Sequence, residues 1–399
     1  MSDFKKTVFV CWFGIFTTSM GLSQMAPILP LYMKNLGYTN SADIAFYSGL
    51  AFGITPLFMA IFSPIWAWVG AKFGYKKMLL RASLGMSVLT LCLTFLDTAL
   101  EVVLVRAFTG IFSGFNSAAI VFIAMIAPKR KVTATLGALS TASISGSLLG
   151  PLFGGIVAEI LNIKGVFYFI SSLIACSFLT ILFFIKENKN KNKKVIHKKA
   201  QSLEKNEKNL SLIIVLFIVT FFIQVGTFGI MPMITLFVDE IYNGTYIAFY
   251  SGLVVAVAGI SNLIFTPFIA RLADKVGPSK VIFVALIFCG LTYFLQAISS
   301  NIYMLILYRF ILGMGLGGLM PCVNALFKKG INTKNLNIIL GFNQSAQFLG
   351  NFSGSFVNGA LVASFAPHVA FIFVGIIFIL NALLFGVIEK RVIFSHIRL

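Results

Sequence analysis

Twelve apolar runs of about twenty residues or more alternate with short polar segments along this 399-residue chain. They cover roughly 7–31, 45–70, 78–96, 99–125, 134–160 and 165–185, then 211–238, 247–270, 280–298, 302–327, 336–362 and 367–388. About 20 consecutive apolar residues make a helix long enough to span a bilayer. The pattern therefore predicts an all-α integral membrane protein with twelve transmembrane helices, numbered here as spans 1 to 12.

The runs form two parallel copies of one unit. The heptapeptide IAFYSGL occurs at 44–50 and again at 247–253, an offset of 203 residues. At the same offset Pro64 meets Pro267, Gly74 meets Gly277, Lys77 meets Lys280, Arg106 meets Arg309 and Gly110 meets Gly313. One residue further on, Gly137 meets Gly341 and Gly150 meets Gly354. The expected organisation is an N-terminal six-helix bundle over 1–186, a basic linker over 187–209 and a C-terminal six-helix bundle over 210–399.

Composition agrees with the membrane reading. Hydrophobic residues make up 58%, charged residues 11%, and the mean hydropathy is +0.95. Soluble domains carry about 25% charged residues. A net charge of +19 would suggest nucleic acid in a soluble protein, but its placement argues otherwise. With the N-terminus in the cytoplasm, Lys34 and Lys164 fall in outer loops and Arg106 and Arg309 inside spans. The remaining 27 of 31 basic residues are then cytoplasmic. This is the positive-inside pattern, so both termini are expected in the cytoplasm of a bacterial inner membrane protein. The basic segments suit anionic lipid headgroups rather than nucleic acid. Lys5 and Lys6 precede an apolar run too long for a signal peptide, so no cleavable leader is expected. Five scattered cysteines predict neither disulfides nor a metal site.

No nucleotide-binding loop with its lysine is present, and the G-x-G-x-x-G match at Gly313, Gly315 and Gly318 lies inside a span. Glycines at such spacing let membrane helices approach closely. No cofactor and no enzymatic chemistry are expected.

Four motifs carry a resemblance. ARLADKVGPSK at 270–280, between spans 8 and 9, resembles the G-x-L-a-D-r-x-G-r-k loop of the major facilitator superfamily through Asp274, Lys275, Gly277 and Lys280. AWVGAKFGYKK at 67–77 keeps Lys72, Gly74, Lys76 and Lys77 but has Ala71 where the family has Asp. LVRAFTGIFSG at 104–114 resembles the span-4 R-x-x-x-G motif, with Arg106 and Gly110. GSLLGPLFGG at 146–155 resembles the span-5 antiporter motif through Gly146, Gly150, Pro151, Gly154 and Gly155. Nearly the whole chain is similar to twelve-span drug:proton antiporters of that superfamily. The resemblance implies gating loops at the 67–77 and 270–280 segments, with an Asp that pairs with positive groups. It implies a hinge at Pro151 in span 5, where proline would also kink a helix. It also implies a cavity lined by spans 1, 4, 7 and 10.

Charges inside a membrane are costly and usually face a cavity or a partner, which singles out Arg106 and Arg309. Polar residues within spans are further candidates: Gln24, Asn116, Gln224, Asn324 and Gln344, with Asn262, Asn343 and Gln347. Interhelical hydrogen bonding is the alternative for each. None of the 12 acids is clearly mid-span; Glu101 and Glu159 sit at span ends.

The expected function is proton-linked efflux of small molecules or drugs by alternating access, by a monomer. An arginine-bearing cavity without a carboxylate raises a second reading, export of an anionic metabolite or carboxylate siderophore. A non-transporting receptor or scaffold is a third.

Overall fold

The computed structural model describes residues 3–128, 131–185, 210–242, 244–330 and 336–396; the 187–209 linker lies outside them. Every regular element among the described residues is helical. The chain runs through α1 (Asp3–Ser23), α2 (Met25–Asn35), α3 (Ser41–Phe73), α4 (Tyr75–Cys92), α5 (Ala99–Phe112), α6 (Phe115–Ile126) and α7 (Val132–Phe184). After the linker come α8 (Leu210–Thr227), α9 (Met231–Ile241), α10 (Ile247–Val276), α11 (Pro278–Ala297), α12 (Ile302–Gly330), α13 (Leu336–Ser364) and α14 (His368–His396).

These fourteen helices make twelve crossings because three spans are broken and one helix is double. Span 1 is α1 plus α2, bent by 47° at Gln24. Pro27 lacks the N–H that would bond the Ser23 carbonyl, which explains the bend. Span 7 is α8 plus α9, broken before Pro232. Span 4 is α5 plus α6, broken at Gly114, whose φ of 110° suits a residue without Cβ. The long α7 holds spans 5 and 6. It turns at Asn162, the one non-glycine residue with positive φ among the described residues (φ 69°). The Asn162 side chain accepts the Gly165 N–H at 3.0 Å and so caps span 6.

Spans 2 and 3, and likewise 8 and 9, are joined by a single glycine. Gly74 has φ 100° and Gly277 φ 97°. That geometry accounts for the glycines of the repeated 67–77 and 270–280 segments without any appeal to gating.

The halves meet in a symmetric way. Span 2 packs on span 11, span 8 on span 5, and span 1 on span 7. The two heptapeptides are the contact strips. A Cβ on Gly49 would lie 2.5 Å from the Ser355 carbonyl and 2.8 Å from Gly359 Cα. A Cβ on its twin Gly252 would lie 2.2 Å from the Pro151 carbonyl. Small residues at such crossings let backbones touch, and this close van der Waals packing stands in for the hydrophobic drive that is missing in lipid. Large apolar side chains such as Trp68, Phe183 and Tyr303 cover the outside, as a lipid-facing surface requires.

Candidate functional site

One cavity of about 500 Å³ opens inside the bundle. It runs from Thr18 in span 1 towards Ala67 and Tyr75 at the loop between spans 2 and 3. That is the end of the molecule where span 1 begins. Four lining residues come from the C-terminal half, namely Phe228, Gln344, Phe348 and Asn351, and all others from spans 1 to 5. Span 10, expected on the wall from the resemblance, contributes none. Phe52 and Phe228, both on its wall, stack at 4.5 Å across the two halves.

Three of the expected residues line this cavity: Arg106, Asn116 and Gln344. Arg106 is only 3% exposed, so it is held in the protein and does not snorkel to the surface. Its Nε donates to the Ala51 carbonyl at 3.3 Å, and Thr55 donates to the Arg106 carbonyl at 2.9 Å. Gly110, one turn on, lets span 4 press against the Thr55 carbonyl, 2.4 Å from where a Cβ would sit. This close approach brings Arg106 to the wall. Asn116 donates to Ser143 at 3.5 Å, a long bond between spans 4 and 5.

The other candidates lie elsewhere. Arg309 is 4% exposed and stands beside Tyr293, away from the cavity. Its Nε and Nη2 have no hydrogen-bond partner among the described residues. Gln224 donates to Gln347 at 3.4 Å and accepts from Thr227 at 3.2 Å, which is interhelical and local bonding. Asn324 is exposed on α12 and does not line the cavity. Gln24 is fully buried at the span-1 bend against Gly154, and both its amide atoms lack a hydrogen-bond partner among the described residues.

Helical backbone torsions continue through Pro151; the non-helical residue of α7 is Asn162. The glycines around it serve close packing. A Cβ would lie 2.4 Å from the Phe16 carbonyl at Gly146, 2.7 Å from the Met20 carbonyl at Gly150 and 2.4 Å from the Ala248 carbonyl at Gly155. Helix breaks fall in spans 1, 4 and 7. In the gating loops, Lys72, Lys77, Asp274 and Lys280 are exposed. Lys72 lies over the rings of Trp68 and Phe73 at 5.3 and 5.4 Å. Asp274 forms no salt bridge among the described residues, so the expected pairing of this Asp is not made here.

The sequence reading missed Arg81, because it stands at the cytoplasmic start of the run at 78–96 and was counted with the cytoplasmic basic residues. It lines the cavity. Its guanidinium lies 3.6 Å over the Trp66 ring, and Nη2 donates to the Ser113 carbonyl at 3.1 Å. Trp66 donates to the Ile111 carbonyl at 2.7 Å. Both carbonyls lose their helical partners at the break beside Gly114, since a helix end leaves its last carbonyls unpaired. Arg81 Nε and Nη1 find no partner among the described residues. The wall therefore carries two guanidinium groups, several aromatics and methionines, and no Asp, Glu or His. No group of His, Cys, Asp and Glu among the described residues could hold a metal.

A sequence model of the Major Facilitator Superfamily matches residues 11–233 and again 216–392. Multidrug resistance protein MdtG of Salmonella paratyphi A is 35% identical over 384 residues, covering 96% of this chain and 95% of that protein. The protein of the same name in Salmonella newport shows the same identity and coverage. Among solved structures, a D-xylose-proton symporter superposes with a TM-score of 0.76 at 16% identity, over 96% of this chain and 97% of that one. The nucleoside transporter NupG gives 0.72 at 13% identity, over 98% and 100%. At such identities the likeness concerns the fold.

Proposed function

The chain belongs to the Major Facilitator Superfamily, a family of transporters rather than enzymes, and from that premise we propose that it exports amphipathic small molecules by proton-linked alternating access. The two six-helix halves rock about a mid-membrane site, the usual motion for transporters built of repeats. The protein sits as a monomer in a bacterial inner membrane, both termini in the cytoplasm. The observation that carries the reading is the cavity. Its size of about 500 Å³ suits a drug-sized molecule. Phe52, Met59, Trp66, Met78 and Phe348 form its apolar wall, with Asn116 and Gln344 as polar contacts. Likeness over nearly its full length to proteins named for multidrug resistance supports the same direction.

A narrower reading of the same cavity is favoured by its charge. Arg81 and Arg106 line it without a carboxylate, which suits an anionic metabolite better than a cation. A proton could then travel on the substrate's own acid. Nothing in the cavity favours a non-transporting receptor or scaffold.

Reconstitution in proteoliposomes with an imposed pH gradient tests both. Gradient-driven movement of lipophilic probes, lost in Trp66→Ala, is the expected result. A preference for acidic amphiphiles over cationic ones of equal size supports the narrower reading. No movement of any probe by folded, inserted protein would sink the transport proposal.

A further inference from the structure

The first N–H groups of a helix need acceptors from outside the helix. The helices that carry the two copies of IAFYSGL meet this need differently: α3 starts three residues before its copy and α10 on the first residue of its own. At the start of α3, Asn40 is the N-cap and its side chain accepts the Ala42 N–H at 3.0 Å. At the start of α10, the N-cap residue is Tyr246, which makes no side-chain capping bond. The Ala248 and Phe249 N–H groups donate instead to Glu159 Oε1, at 2.9 and 3.3 Å. Those are the second and third residues of the helix, the positions an N-cap side chain normally serves. A carboxylate there also meets the positive end of the helix dipole.

Glu159 belongs to the other half of the molecule. It follows Gly155 by one turn of span 5, where the Gly155 backbone lies against the Ala248 carbonyl. The position that corresponds to it in the second copy, at the offset of 204, is Ala363, so no matching carboxylate faces α3. The contact sits at the face opposite the cavity's mouth. Two other bonds cross between the halves there: Lys34 to Asp239 at 2.5 Å, and Thr235 to the Pro27 carbonyl at 3.1 Å.

We infer that Glu159 is a positioning residue of the transport cycle, a strap that caps α10 from the opposite half and holds the outer face closed while the cavity faces the other way. When the halves rock, α10 loses its cap and Glu159 its donors. The bond therefore biases the equilibrium between the two orientations towards the closed outer face. This rests on the alternating-access reading above, but its test reads conformation and not transport.

Spin labels at Thr39 and Ser300, exposed on the outer face of the two halves, report its opening by pulsed dipolar spectroscopy on the full chain in proteoliposomes. Labels at Phe73 and Val276 report the opposite face. Glu159→Ala should raise the ratio of outer-open to outer-closed molecules about fivefold, the effect of one lost helix cap. The inner distance should shorten in step. Glu159→Gln, which keeps an acceptor oxygen without the charge, should shift the ratio less. Tyr246→Asn gives α10 a cap of its own. Added to Glu159→Ala, it should restore thermal stability and leave the outer face open. Unchanged distances in Glu159→Ala would overturn the inference. So would closure restored by Tyr246→Asn, which would make Glu159 a helix cap and nothing more.

Discussion

Arg106 and Arg309 hold the same place in the two halves, yet they live in different surroundings. Around them the packing is a copy. Gly110 presses on the Thr55 carbonyl and Gly313 on that of Ala258, its twin, with 2.4 and 2.2 Å left for a Cβ. Thr55 donates to the carbonyl of Arg106, and Ser261 to that of Phe310, the residue after Arg309. The environments then diverge. Arg106 reaches the cavity, while Arg309 is packed beside Tyr293. The cavity is itself lopsided, because span 4 breaks at Gly114 and α12 runs unbroken from Ile302 to Gly330. The break frees two carbonyls, and Trp66 and Arg81 take them. In the second copy Ile269 and Val284 stand at those positions. Duplicated packing thus preserves the scaffold, and a few unduplicated side chains decide which half binds.

The largest effects should come where the halves agree. Gly150 and Gly354 each press on a neighbouring span, against the Met20 and Val225 carbonyls. Gly150→Ala and Gly354→Ala should each cost about 1–3 kcal/mol, the range for overpacking a close contact. Thermal melts of the purified protein check this, and a loss confined to one of the two would break the symmetry.

The arginine pair should separate next. Arg106→Ala should lower transport at least about tenfold, some 1.4 kcal/mol in barrier height, with the melt little changed. Arg309→Met should leave transport within about twofold and the melt equal or higher, since a buried charge with no opposite charge paired to it among the described residues is costly to keep. Equal losses from both substitutions would return Arg309 to the site.

Arg81 sharpens the contrast further. Arg81→Lys keeps the charge but loses the planar stack on Trp66 and its bond to Ser113. The KM for an acidic amphiphile should rise several-fold, about 1 kcal/mol for a lost cation–π contact. Val284→Ala at the corresponding position should leave KM alone.

The smallest effect belongs to the Lys34–Asp239 bond. Its side chains are 40% and 31% exposed, and pairs of this kind are worth about 0–1 kcal/mol. Lys34→Ala should barely move the melt at moderate salt.

Much of this was legible in the chain alone. The bilayer allows few ways to satisfy a backbone, so apolar runs of bilayer length read directly as helices. The offset repeats exposed the duplication, and with it the glycines at 49, 252, 150 and 354 that later proved to be contacts. Arg106 was legible because a charge inside a span has few explanations. The reading failed where partners come from far along the chain. Whether Arg309 reaches a cavity depends on neighbours such as Tyr293, and nothing local to 309 says which wall is near. Arg81 passed as one of the cytoplasmic basic residues, and only the Gly114 break gives its guanidinium an acceptor. At Pro151 the helical torsions continue, and only the structure shows that the glycines around it pack against spans 1 and 8. The sequence by itself determined the twelve spans, the two parallel halves and the membrane setting, because hydropathy and repetition are properties of residues in order. Only the tertiary structure decided which half carries the cavity, which arginines face it and that Glu159 caps a helix of the opposite half, because these depend on contacts between different spans, such as Arg81 with Ser113 and Glu159 with Ala248.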